Sequence, residues 1–323
     1  METISQNGVK PVSIHPENTI RIKNPWSLTV YMMYDDRYIN ELHDLAVSYA
    51  RRMYSNYILG IAGSMISDSE ELRNALYMGF TYMRWLDNIA DEFPAPREEK
   101  IRMLRDQIAF LQECRERDFS RVELYNLHVE ERCAYFFVRD IAHALEKRGS
   151  PSENIDAYLN SYILMIQSIL QDTVNQGRLM RAKEFYEQVY WLKAGVLFGA
   201  SAYILKNEPS DKLLRACKYF GYIWQVNNDN LDIQEDLQNG IINMTYEEVK
   251  KNSIDLDAFA PTYDGIVEYL AQTSFFDDRV RLLKKWRRYV EEGIDELGIT
   301  HRMLIRKYLD RACPDSFSPG DMH

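Results

Sequence analysis

Two groups of oxygen-bearing side chains recur at helical spacing in this chain. Asp87 and Asp91 stand four apart in Asp87-Asn-Ile-Ala-Asp91, with Glu92 beside them. Asn228, Asp232 and Asp236 follow the same step in Asn228-Asp-Asn-Leu-Asp232-Ile-Gln-Glu235-Asp236. Residues four apart on a helix project from one face, so each group forms a stripe of hard oxygen donors. Such carboxylates hold Mg²⁺, which keeps several waters and shares its remaining positions with phosphate oxygens of a substrate. Two stripes facing one another would clamp several ions and one diphosphate.

As evidence the stripes are unequal. With 49 acidic residues among 323, about seven acidic pairs at this spacing arise by chance, and most line solvated faces. Alone, the Asp87/Asp91 pair is therefore ordinary. The second stripe is not, because like charges at this spacing cost an isolated helix roughly 0.3 kcal/mol per pair and no Lys or Arg lies between Lys218 and Lys250 to offset them. Something else must neutralise it. The six histidines are scattered, which argues against a His-ligated metal. Cys114, Cys133, Cys217 and Cys313 show no ligand spacing and read as reduced, buried thiols of a cytoplasmic protein.

The elements that must position these donors are helices. Apolar residues recur at three- and four-residue steps over 38–66 and 69–92, where Pro94 and Pro96 stop the pattern. The same periodicity covers 97–116, 122–147, 152–177, 182–205, 211–237, 245–251, 264–273, 279–297 and 303–312, and no segment alternates with period two as a strand would. Residues 1–24 mix Pro, Asn, Ser and Lys without periodicity and read as an N-terminal arm. Residues 25–323 contain neither a linker-like stretch nor a 20–50-residue repeat, so one domain is expected. The fold class is thus all-α, a single large helical bundle with its chemistry on inward faces.

A net charge of −10 and a pI near 5.2 exclude a nucleic-acid footprint, whereas phosphate ligands stay open because a bound cation inverts the charge of an acidic pocket. The N-terminus lacks the order of a signal peptide. The longest uncharged apolar run, 194–205, is shorter than the roughly 20 residues a bilayer span needs. A cytoplasmic protein without a transmembrane segment is expected.

Here the residues resemble a known family, the class I isoprenoid synthases, and within it the squalene/phytoene synthase branch. Tyr82-Met-Arg84-Trp-Leu-Asp87-Asn-Ile-Ala-Asp91-Glu92 is similar to that branch's first motif, an Arg three residues before DxxxD. Gln225-Val-Asn-Asn228-Asp-Asn-Leu-Asp232-Ile-Gln-Glu235-Asp236 is similar to its second, and Ser55-Asn-Tyr57 sits near its Ser-x-Phe-like element. Leu231 stands where the branch carries an Arg. Lys193 before Ala-Gly-Val-Leu-Phe198 resembles instead the chain-elongating polyprenyl synthases, whose Lys contacts diphosphate, although Phe93-Pro-Ala-Pro-Arg97 replaces their Arg-Arg pair. Asn228, Asp232 and Asp236 also share the spacing of the terpene cyclase metal triad. Arg181 lies 47 residues before Asn228, near the cyclases' diphosphate-sensing Arg, and Arg288-Tyr289 or Arg306-Lys-Tyr308 would stand for their late Arg-Tyr pair.

The resemblance implies a bundle of the isoprenoid synthase type with a central active-site cavity, an isoprenoid diphosphate substrate, three Mg²⁺ ions and a homodimer. It implies Asp87, Asp91, Asn228, Asp232 and Asp236 as metal ligands and catalytic residues. Arg84, Lys193, Ser55, Tyr57, Gln225 and Arg181 would contact substrate. The reaction is prenyl transfer of the squalene/phytoene synthase type or, alternatively, cyclisation of one prenyl diphosphate by a terpene cyclase, which is a lyase. Each side chain also has a plainer reading. Arg84 can pair with Asp87, Lys193 can pair inward or snorkel, Gln225 can be a buried hydrogen-bonding residue, and Arg181 can lie on the surface. Tyr57, Phe80, Tyr82, Phe198 and Trp224, candidates for the apolar wall around a cation, can be core packing. A non-catalytic scaffold with acidic docking faces is a competing class, while the absence of Glu-x-x-His disfavours a di-metal carboxylate bundle and no dinucleotide fingerprint suggests a reductant.

Overall fold

The structure, a computed structural model, describes residues 36–54 and 69–316. Ser55, Tyr57 and the 1–24 arm lie outside the described residues. Within them every regular element is helical, apart from one isolated bridge between Met180 and Thr245.

Helices α1 (Asp36–Tyr54), α2 (Glu70–Asp91), α3 (Arg97–Glu116), α4 (Val129–Lys147) and α5 (Ser152–Val174) enclose one core. Leu72, Met78, Tyr82 and Leu86 recur along the inner face of α2, and Phe136 and Phe137 fill the same space from α4. Phe137 meets Tyr162 at 4.3 Å between ring centroids, and Tyr158 meets Tyr162 at 5.6 Å. Truncating one such ring typically costs about 3–5 kcal/mol. Tyr82 belongs to this core rather than to a substrate wall, since it is 0% exposed and its hydroxyl donates to Gln107.

The second core joins the π-helix Tyr186–Gly195, α7 (Asp211–Leu231), α10 (Phe275–Ile294) and α11 (Ile299–Ala312). Between π-helix and α7 runs the short α6 (Val196–Ala200). A third, smaller cluster gathers α8 (Ile233–Gln238), the segment after α9 (Tyr246–Lys251) and the start of α10. No described helix is long and apolar enough to cross a membrane. All four cysteines are free, three of them buried, as the sequence suggests.

Three continuous helical patterns are divided in the structure. The stretch 122–147 breaks at Leu127 and His128, where a capping box starts α4. The stretch 182–205 widens into the π-helix, a form concentrated at functional sites. The stretch 211–237 breaks at Asp232, which ends α7 and precedes α8. Asp229 and Asp232 crowd the negative end of the α7 dipole without a basic residue in its last turn, which opposes continuing the helix. The break is shallow: Asp232 N–H still donates to Asn228 at 2.9 Å and Asp236 N–H to Asp232 at 2.7 Å. Asn228, Asp232 and Asp236 thus keep their four-residue backbone register through a bend.

Candidate active site

The C-terminal ends of α2, α5 and α7 carry the first motif, Asp172 and the second motif respectively. The carbonyl ends of α2 and α5 are held by the start of α3. Lys100 Nζ donates to Ala90 O at 2.8 Å, and Arg97 Nε donates to Thr173 O at 2.8 Å. Two cations therefore offset the negative ends of α2 and α5, neither of which has a basic residue in its last turn.

The π-helix approaches α7 at two glycines. A Cβ on Gly195 would fall 2.5 Å from Tyr222, and one on Gly221 would fall 2.8 Å from the Ala194 carbonyl. That closeness places Lys193, two residues before Gly195, against the carboxylates. Its Nζ lies 3.4 Å from Asp172 Oδ2 and 3.8 Å from Asp87 Oδ1, all three side chains being about one-fifth exposed. Burial alone would lower the Lys193 pKa, but Asp172, Asp87, Asp91 and Asp229 reverse this and raise it, so the ammonium stays charged. Arg84 Nη1 donates to Asp87 Oδ2 at 2.9 Å while the guanidinium remains half in solvent.

On the second wall, Asp236 accepts from Asn243 Nδ2 at 2.7 Å, and Asp229, 1% exposed, accepts from Gln225 Nε2 at 2.7 Å. Burial first and nearby carboxylates second push the Asp91 carboxyl up to about 6, through Asp87, and the Asp236 carboxyl up to about 7, through Asp229. Burial pushes Asp229 up to about 6 against the pull of Arg279 and its Gln225 hydrogen bond. Asp232 is raised by burial and Glu235, with Arg84 opposing and Asp87 adding across from α2. The two walls are thus within electrostatic reach, with Arg84 and Lys193 acting on both.

Mg²⁺ suits this donor set. Asp87, Asp91, Asn228, Asp232 and Asp236 all offer oxygen, and Asp87 Oδ1 and Asp229 Oδ2 are buried without a hydrogen-bond partner. Among the described residues no three His, Cys, Asp or Glu side chains form a group able to hold an ion by themselves. Water and phosphate oxygens would have to complete any coordination, as is usual for Mg²⁺.

Asp87, Asp91, Arg84, Lys193, Asn228, Asp232 and Asp236 are thus gathered at one end of the bundle. Gln225 reaches the site only through Asp229. Arg181 is exposed, with its guanidinium 5.3 Å from the Tyr246 ring centroid. Of the late Arg-Tyr candidates, Arg288 is exposed and Arg306 pairs with Asp295. Tyr308 stacks on Trp224 at 5.9 Å, beside Phe198 and Phe220. Phe220 and Trp224 lie two turns and one turn before Asn228 on α7.

Asp172, Arg279 and Asn243 were not singled out from the sequence. Asp172 has a signal, as the sole charged residue between Asp156 and Arg178. Arg279 has none, sitting among Asp277, Asp278, Arg281, Lys284 and Lys285.

No family model and no curated protein matches this chain. Among solved structures it is similar to the squalene synthase HpnC from Alicyclobacillus acidocaldarius, with a TM-score of 0.55 at 15% identity over 85% of this chain and 91% of that one. A decaprenyl diphosphate synthase from Rhodobacter capsulatus matches with a TM-score of 0.42 at 12% identity, over 86% of this chain and 98% of that one. The all-α bundle expected from the helical periodicity is the fold of this chain, and it is the fold seen in the HpnC squalene synthase structure.

Proposed function

We propose that this chain is a Mg²⁺-dependent enzyme that ionises an allylic isoprenoid diphosphate and releases diphosphate, with prenyl transfer of the squalene/phytoene synthase type following. One observation carries the reading: two acidic helix ends converge with Lys193 and Arg84 set among their carboxylates. Asp87 and Asp91 would hold two ions, and Asn228, Asp232 and Asp236 a third. Bound there, the ions supply Lewis-acid stabilisation of charge developing on the leaving oxygen. Lys193 and Arg84 present donors that transfer from carboxylate to phosphate oxygens, and Asp172 holds Lys193 beside Asp87 when substrate is absent. Phe198, Phe220, Trp224 and Tyr308 form an aromatic wall along α7 that excludes water and faces cationic charge with ring π-systems.

The fold shared with a structure named as a squalene synthase supports coupling. Leu231 favours a second reading, a class I terpene cyclase. It is 53% exposed at the bend of the second motif, where the squalene/phytoene branch carries an Arg. Incubation with Mg²⁺ and farnesyl or geranylgeranyl diphosphate, followed by product analysis, separates the two. A doubled linear chain excludes cyclisation, and a cyclic product of unchanged carbon number excludes coupling. A scaffold would release no diphosphate from either substrate. The proposal extends to a cytoplasmic homodimer, whose subunit number sedimentation of the purified chain measures.

A further inference from the structure

Among the described residues Arg279, near the start of α10, is the one buried Lys or Arg, 2% exposed. It stands behind the second motif. Its Nε donates to Glu248 at 3.0 Å, Nη1 to Asn230 Oδ1 at 2.6 Å and Nη2 to the Asn243 carbonyl at 2.6 Å. Its guanidinium also lies 4.3 Å from the Phe275 ring centroid. One planar fork therefore fastens three pieces that surround α8: the end of α7, the 240–245 loop and α9. The Asn243 side chain then donates its amide to Asp236 Oδ2 at 2.7 Å.

We propose that Arg279 is a positioning residue for the second acidic motif, orienting the Asp236 carboxylate through Asn243 and holding the α7–α8 bend through Asn230. This rests on the metal-binding reading of Asp236 given above. Two features separate it from a plain buried ion pair. Glu248 alone would satisfy the charge, yet two of the three donor directions serve Asn230 and Asn243. Asn230 accepts from Arg279 although its own Nδ2 is left buried without a hydrogen-bond partner, so the network favours this orientation over full satisfaction of Asn230. A Lys keeps the charge but cannot reproduce a rigid fork directed at three elements.

The test uses the full chain, with inorganic diphosphate as the probe. Thermal unfolding is followed as Mg²⁺ is titrated at fixed diphosphate, and diphosphate release from farnesyl diphosphate is followed over the same Mg²⁺ series. Groups that orient metal ligands typically change metal affinity 10–100-fold. Arg279→Lys and Asn243→Ala should each raise the half-saturating Mg²⁺ concentration about 10-fold, with the larger change on the midpoint rather than the plateau. The double variant should fall well short of the product of the two single effects, because both act in part through Asp236. Asn243→Ala leaves the carbonyl that Arg279 uses and carries the test should Arg279→Lys fail to fold. Folded variants with the wild-type midpoint, or effects that multiply in the double variant, overturn the positioning role alone. A wild-type chain whose unfolding ignores Mg²⁺ and diphosphate overturns the metal reading and this role with it.

Discussion

The two acidic walls solve the same electrostatic problem differently. Around Asp87, Asp91 and Asp172 the counter-charges stand in front, with Lys193 and Arg84 touching the carboxylates directly. Around Asn228, Asp232 and Asp236 no cation is in direct contact: Arg84 and Lys193 act on the carboxyl groups from a distance, Arg279 stands behind and reaches Asp236 only through Asn243, and burial raises both the Asp232 and Asp236 carboxyls. On the first wall Asp87 and Asp172 are ion-paired within the chain, whereas among the described residues no ion pair reaches Asp232 or Asp236. A cation should therefore be needed most at the second wall.

The largest effect should come from removing that demand. Asp232→Asn keeps the shape of the side chain and deletes its charge. Diphosphate release should fall about 100-fold or more, since an interaction aimed at developing charge is lost, while thermal stability without Mg²⁺ holds or rises. A drop in stability without loss of release would mean that Asp232 serves packing and that the walls do not differ as described. The matching change on the first wall is Lys193→Met, which leaves Asp87 and Asp172 facing each other without their shared cation. Breaking a largely buried pair this way costs about 3 kcal/mol, read from denaturant unfolding. Adding Asp172→Asn should recover most of it, and a double variant no more stable than Lys193→Met would sink the pairing.

The pH dependence follows from the same contrast. Asp229 and Asp236 have folded-state values raised to about 6 and about 7, and Asp91 to about 6, from an ordinary value of 3.8. The folded state therefore binds more protons than the unfolded chain between about pH 4 and 7, so stability present at low pH is lost as pH rises through the folded values. At about 1.4 kcal/mol per proton and pH unit, three such carboxyls set an upper bound of about 4 kcal/mol per unit, which solvent screening of the partly exposed Asp91 and Asp236 and their mutual coupling bring down to about 1–2 kcal/mol per unit. Urea unfolding from pH 4.5 to 7.5 measures it. With Mg²⁺ and diphosphate present, the slope should flatten, because bound cations replace the protons. A slope that is flat without them would remove the electrostatic strain assigned to the second wall.

The sequence carried the helices and the motif residues because both depend on local spacing. The apolar period of α2 and the stops at Pro94 and Pro96 are read within one helix, and the boundaries Glu70–Asp91 follow within a residue. What escaped was long-range or charge-driven. Helical period alone does not distinguish the π-helix around Lys193 from an α-helix, since its widening is stabilised by neighbours such as Ser168, which donates to the Gln188 carbonyl. The bend at Asp232 needed knowledge that the helix end faces Arg84 and Asp87. Arg279 reaches Asn230 across 49 residues and is sequestered by elements that a single helix pattern does not connect. Arg181 shows the converse, a position suggested by family spacing whose side chain meets Tyr246 at the surface.

The smallest change sharpens the comparison most directly. Leu231→Arg would give the second wall a forward-facing cation of the kind Arg84 gives the first. Leu231 is 53% exposed, so the substitution should alter stability by no more than about 0.5 kcal/mol. Its charge, next to Asp232, should lower the Mg²⁺ required for half-maximal diphosphate release by a few-fold and weaken the pH slope. If coupling is the native reaction, the doubled product should persist or increase. If cyclisation is native, the new charge beside the departing diphosphate should change the ratio of cyclic to linear products. A variant unaltered in Mg²⁺ requirement would show that position 231 does not share the field of Asp232, and that the contrast between the walls arises deeper, at Asp229 and Asp236.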